Sequence, residues 1–268
     1  MKTSFSARKR WGRSLLWHLW LPIALVVLWW VLSSESGSVY FPALQRILAE
    51  TWEIWVVAGG VVSDLWPSFV RLAVGFAIAV VVGIALGTIF GLMPRTEKAF
   101  RPLTDAFRAV PGAALLPIAL MFFGTGETMK IFLIAFASMW PIMLNTIDGV
   151  RALHPTMGKV MATFHISGFD RFTKVFMPAA APQVFAGSRV ALAIGVAVMV
   201  VVEMFGTPGG VGYYIRHAQA NFQVLEMWTG MVVLGLFGYA LNALFRLLEK
   251  RVLNWHHAMV AHTQGASA

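Results

Sequence analysis

Six apolar runs, 15–32, 69–93, 109–123, 129–148, 186–205 and 224–248, account for most of this chain, and few charges interrupt them. About 20 such residues are what a helix needs to cross a bilayer. In lipid a helix is also one of the few structures that satisfies its own backbone. The charged fraction is 12%, against roughly 25% in soluble domains. So few charges cannot cover a water-facing surface, and lipid must solvate much of the chain. The expected fold is an all-α membrane protein with about six transmembrane helices. The third run holds Pro111 and Pro117 and is short, so its helix is expected to begin in the polar stretch before Ala109.

The placement of Lys and Arg predicts the orientation, because positive loops stay in the cytoplasm. One set of segments holds Lys2, Arg8, Lys9, Arg10 and Arg13, then Arg95, Lys98, Arg101 and Arg108. It continues with Arg151, Lys159, Arg171 and Lys174, and ends with Arg246, Lys250 and Arg251. The alternate segments hold Arg46, Lys130 and Arg216. Both termini are therefore expected inside: a basic tail over 1–14, a membrane domain over 15–255 and a polar tail over 256–268. The first apolar run exceeds a signal-peptide core, and Ser33-Ser34-Glu35-Ser36 offers no small-x-small cleavage site, so an uncleaved span is expected. The net charge of +9 is spread between the apolar runs and forms no nucleic-acid-binding domain. Cysteine is absent, which removes disulfides and thiolate chemistry. His256, His257 and His262 sit in the polar tail without acidic ligands, so no metal is expected.

Within the runs, Gly75, Ala79, Gly83, Gly87 and Gly91 recur every four residues on one helical face. Small residues there let a second helix approach closely, either as static packing or as a contact that moves. Glu203 is the acidic residue well inside an apolar run. Such a charge faces a cavity or a partner, so it either gates a path near the outer end or pairs with Arg71 or Arg189. Arg71 and Arg189 otherwise read as snorkelling anchors at the two interfaces. Met139, Pro141, Asn145 and Met199 are candidates to shape a path, against ordinary helix packing. The segment 149–183 is amphipathic: Met161, Phe164, Ile166, Phe169 and Phe172 alternate with Lys159, His165, Asp170, Arg171 and Lys174. A short helix there would lie on the membrane or dock into a partner's groove, with Ser167-Gly168 breaking it in two.

This segment resembles the cytoplasmic loop of the permease subunits of binding-protein-dependent ABC importers. That loop reads Glu-Ala-Ala, three residues, Gly, nine residues, then Ile-x-Leu-Pro. Anchored on Pro178, the pattern places Val175 and Met177 at the Ile and Leu, His165 at the Gly and Lys159-Val160-Met161 at the Glu-Ala-Ala. Ser68-x-x-Arg71-x-x-x-Gly75-Phe76, Arg108-x-x-Pro111-x-x-Ala114-Leu115-x-Pro117, Ala186-Gly187-x-Arg189 and Gly210-Val211-Gly212 also resemble the family. The ordered set is most similar to the nitrate, sulfonate and taurine branch. The resemblance implies a loop (Lys159, Met161, Ala162, Thr163, Phe164, His165, Ile166, Ser167, Gly168, Arg171, Pro178) that couples to a separate ATPase present in two copies. It also implies ATP and magnesium on that partner, a second permease copy, a substrate-binding protein outside, a bacterial inner membrane and a small, often anionic solute. The family Gly bends the loop; His165 bends less freely, and Gly168 is expected to supply the bend.

The chain has no G-x-x-x-x-G-K-[ST] phosphate loop, so ATP hydrolysis is expected on another chain. A secondary transporter or channel is the competing reading. It would need intramembrane ion or proton relays beyond Glu203. A membrane enzyme would need a constellation such as H-E-x-x-H or G-x-S-x-G, and neither occurs.

Overall fold

The structure is a computed structural model that describes residues 20–34, 37–153, 157, 160–161, 163–166, 168–205 and 208–255. Every regular element among them is helical. Helix α1 is Trp20–Ser34, the described part of the first expected span. Helix α2 (Leu44–Trp52) buries Leu44 and Ile47 and continues into a wide turn, Glu53–Val57. Helix α3 runs through Val61–Leu92, α6 through Glu127–Arg151, α7 through Gly168–Phe205 and α9 through Val224–Val252; these four are long and apolar enough to cross a membrane. Between α3 and α6 lie α4 (Pro94–Ala109) and α5 (Leu116–Phe123), the latter entered through a tight turn, Gly112–Leu115. Helix α8 (Val211–Ala220) caps one end.

The glycine face of α3 lies against α6. A methyl group added at Gly75 would meet Ile134, at Gly83 Ile142, at Gly87 Thr146 and at Gly91 Val150, each within 2.9 Å. Both residue series ascend together, so α3 and α6 run parallel. A parallel pair requires the chain to return between them, and α4 with α5 makes that return, bent by 88°. The bend corrects the expectation that the third span's helix begins before Ala109. Pro111 forces Val110 into an extended conformation (ψ 119°) and ends α4 there. The polar stretch is therefore a separate helix, pinned by Phe100 stacked on Phe90 at 5.9 Å. Helix α7 descends against α6: Gly195 packs at Ser138, Gly187 at Asn145, and Gly149 of α6 at Ala180. The core lies where α3, α6 and α7 meet, around Leu72, Leu133, Ile134, Met199 and Val202.

These directions give the bundle two distinct ends. The starts of α3 and α6, the end of α7 and α8 share one, the cap end. The connection 152–167 and the end of α9 share the other, the loop end; Thr173, Met177, Val252 and Trp255 line one groove there. Trp29 packs on Trp228 at 5.7 Å, which brings α1 to the cap-end half of α9. A second correction concerns segment 149–183. Helix α6 continues to Arg151 and α7 begins at Gly168, so Pro178 and Pro182 lie inside a helix. Pro178 has no N–H to give the preceding turn, and it stands two residues after a wide π-turn, Phe172–Phe176.

Candidate functional site

At the cap end, four charged side chains from three spanning helices converge. Glu203, near the end of α7, has no exposed surface. Its carboxylate accepts from Arg71 Nη1 at 2.7 Å, from Ser68 Oγ at 2.8 Å and from the Gly212 N–H at 3.0 Å. Arg71 spends its remaining donors on Glu127, with Nε to Oε2 at 2.6 Å and Nη2 to Oε1 at 2.8 Å, and on the Gly209 carbonyl at 3.0 Å. Lys130 Nζ, fully buried, lies 3.4 Å from Glu127 Oε1. Charged groups in a low-dielectric interior persist only when paired and hydrogen-bonded, and the three donors to Glu203 meet that requirement.

The same cluster holds the loop that enters α8. Gly210 N–H donates to Asp64 Oδ1 at 3.3 Å, and Val211 N–H to Ser68 Oγ at 3.0 Å. Gly210 has φ 104°, and a Cβ there would fall 2.5 Å from the Glu203 carboxyl carbon. Only glycine fits, on both counts. Residues 209–212 are thus tied by backbone groups to α3 and α7 at once.

The structure therefore places Glu203 with Arg71, one of the two partners its sequence position suggested. Arg189 pairs instead with Glu249 of α9. Arg71 is 5% exposed and does not snorkel; the carboxylates beside it remove the need to reach water. Glu127 and Lys130 are the residues that sequence reading missed. Both stand at the start of an element, where charge is ordinary, and Lys130 reads as a loop residue until its burial is seen. Among the other path candidates, Met199 is wholly buried in the core. Asn145 donates to the Pro141 carbonyl at 2.9 Å and abuts Gly187. Met139 is half-buried, with its carbonyl close to Gly83. All three occupy helix contacts within the chain.

At the loop end, Val150, Met161, Phe176, Ala180 and Val184 form a small core, with Ile84, Leu153, Ile166 and Val175 packed on it. The loop is thereby fastened to α3, α6 and α7. Phe164 and Phe169 point away from this core, 72% and 77% exposed. Arg171 lies over the Phe176 ring at 5.1 Å, and Lys174 pairs with Asp170 at 3.0 Å. Thr163 is exposed; Lys159, Ala162 and Ser167 lie outside the described residues. The position that the family fills with glycine is explained here. His165 has φ 54°, Phe164 N–H bonds the Val160 carbonyl at 3.0 Å and Ile166 N–H bonds the Met161 carbonyl at 2.9 Å. That six-to-one bond around a left-handed residue is a Schellman helix end, with Met161 and Ile166 supplying its apolar contact. Gly168 is left-handed too, at φ 59°. The bend thus occurs at both positions, and His165 adopts it despite its side chain. His165→Gly is expected to stabilise the loop by about 0.5–1 kcal/mol, read as slower proteolysis of the 152–167 connection in the membrane-embedded chain.

Residues 79–254 match the family described as the binding-protein-dependent transport system inner membrane component. The chain belongs to that family. It is 29% identical over 255 residues to a Bacillus subtilis (strain 168) protein provisionally named an aliphatic sulfonates transport permease protein, covering 94% of this chain and 91% of the relative. It is 30% identical over 237 residues to the nitrate import permease protein of Leptolyngbya laminosa, covering 85% and 84%. In fold it is similar to a chain of the MetNI methionine ABC transporter solved in inward facing conformations, with TM-score 0.62, 16% identity, and coverage of 75% of this chain and 96% of that one. This family member is a multi-pass membrane permease of an importer, in the branch of the sulfonate and nitrate permeases.

Proposed function

We propose that this permease carries a small oxoanionic solute inward across a bacterial inner membrane, working with a separate ATPase that binds at the loop end. The observation that carries the coupling is the arrangement of the 152–167 connection. Its residues Leu153, Met161 and Ile166 pack with α3, α6 and α7, while Phe164 stands exposed on it and Phe169 stands exposed beside it at the start of α7. Exposed aromatics on a short, buttressed segment fit a groove on a partner, and aromatic anchors dominate such contacts. Two ATPase copies would each bind one permease loop and would hold the ATP and magnesium. Two copies of this chain would pair in the membrane, lipid would cover the remaining apolar faces, and a binding protein would deliver solute at the cap end. The loop end is then cytoplasmic, with tails 1–14 and 256–268 on that side.

Closure of the ATPases would push on the loop, and the three helices fastened to it would tilt as a body. The cap-end cluster joins the same three helices, so the tilt reaches residues 209–212 without passing through a flexible joint. The test is copurification of tagged chain with its coexpressed ATPase. Retention of the ATPase, with ATP-dependent uptake in proteoliposomes, supports the reading. Uptake by the chain alone under an ion gradient would replace it with a secondary transporter.

A further inference from the structure

The two ends of the Arg71 guanidinium are unlike. Nη1 is committed inward, to Glu203 and the Gly209 carbonyl, where Glu203 has no exposed surface. The Nε–Nη2 edge faces outward and grips both oxygens of Glu127, at 2.6 and 2.8 Å. The Glu127 side chain is 54% exposed. Glu127 is the first residue of α6 and follows Gly124-Thr125-Gly126, and added methyl groups at either glycine would meet nothing within 4 Å. Among the described residues the carboxylate is gripped by Arg71 and Lys130, and its side chain is otherwise half-exposed.

The two planar N–H groups of that edge match any pair of oxygens on a carboxylate, sulfonate or nitrate. Lys130 Nζ, buried and 3.4 Å from Glu127 Oε1, supplies a third donor to the same spot. The negative charge that Glu127 presents to Arg71 and Lys130 is what an arriving oxoanion would replace. The first turn of α6 adds the partial positive charge of a helix start.

We propose that the Nε–Nη2 edge of Arg71 with Lys130 Nζ is a binding site for an oxoanion, and that Glu127 occupies it as an internal stand-in which an arriving solute displaces. This deepens the importer reading and rests on it: the solute would be recognised at the cap end, where a binding protein hands it over. Exchange of one oxoanion for another keeps Arg71 paired throughout, so the cluster never carries a bare buried charge.

The experiment uses the full chain copurified with its ATPase, and follows thermal unfolding against methanesulfonate, nitrate and chloride. A tethered competitor raises the concentration of free ligand needed, so Glu127→Gln is expected to respond at about tenfold lower methanesulfonate or nitrate than wild type. Chloride, which cannot bridge the fork, is expected to give no such gain. Arg71→Lys added to Glu127→Gln keeps the charge, loses the fork and is expected to abolish the gain. If that double variant does not accumulate, Glu127→Gln with Lys130→Gln is expected to show the same loss. No gain in Glu127→Gln, an equal gain with chloride, or a gain that survives loss of Arg71 or Lys130 would overturn the site. Retention of the ATPase by wild-type chain is scored on the same samples and tests the importer reading separately.

Discussion

Glu203→Ala is expected to leave little folded chain in the membrane. The substitution strips Arg71 of a buried partner at 2.7 Å and leaves the Gly212 N–H without its acceptor, while Ser68 Oγ keeps the Asp64 carbonyl and the Val211 N–H. Removing one member of a buried ion pair costs about 3–5 kcal/mol, because the other charge stays behind unpaired. Whole domains are stable by only about 5–15 kcal/mol. The yield of monodisperse protein in fluorescence-detected size exclusion measures this directly. Arg71→Met combined with Glu203→Ala removes both charges of that buried pair and is expected to recover part of the yield, since Glu127 keeps Lys130 and is half-exposed to water. Wild-type yield from Glu203→Ala would mean the pair contributes little. Glu203→Gln separates structure from gating: a variant that assembles but no longer transports assigns the charge itself to the transport cycle.

Phe164→Glu is expected to release the ATPase while the chain still accumulates and folds. Phe164 is 72% exposed and outside the loop's own core, so a carboxylate there is solvated in the free permease and desolvated only in the complex. Loss of a central aromatic anchor typically weakens binding by about 2 kcal/mol or more, roughly thirtyfold. Pull-down of the ATPase across a concentration series checks it, with uptake falling in parallel. Ile166→Glu makes the informative contrast. Ile166 packs on Met161, Val150 and their neighbours, so its substitution should loosen the connection and raise its proteolysis as well. If Phe164→Glu retains the ATPase at wild-type affinity, the docking face lies elsewhere on the loop.

Several of these features are legible in the sequence, each for a physical reason. Small residues every four positions in 75–91 leave a face that only another helix can fill, and that face is where α6 lies. Glu203 stands out because lipid makes a charge in an apolar run expensive. Its partner was narrowed to Arg71 or Arg189, since few cations stand at span edges; only the fold separates the two. Glu127 and Lys130 gave no signal, because charge at the start of an element is unremarkable until three helices close over it. The break at Pro111 was visible as a proline, but its 88° angle depends on where α4 finds Phe90 to stack against. The left-handed His165 ran against local preference, and the six-to-one bond with its apolar contact holds it there.

The matched spacing along α3 and α6 restricts how this protein can move. Each glycine of the α3 stripe is a notch that receives one side chain of α6, and the stripe repeats every four residues, or about 6 Å. A slide of less than one whole step would drive Ile134, Ile142, Thr146 and Val150 onto backbone between notches, all at the same time. The two helices are indexed like a rack and its teeth. Displacement has to be taken up by rotating the locked pair as a lever arm, and the strain then falls on the short links at 93–94, 110–111 and 152–167.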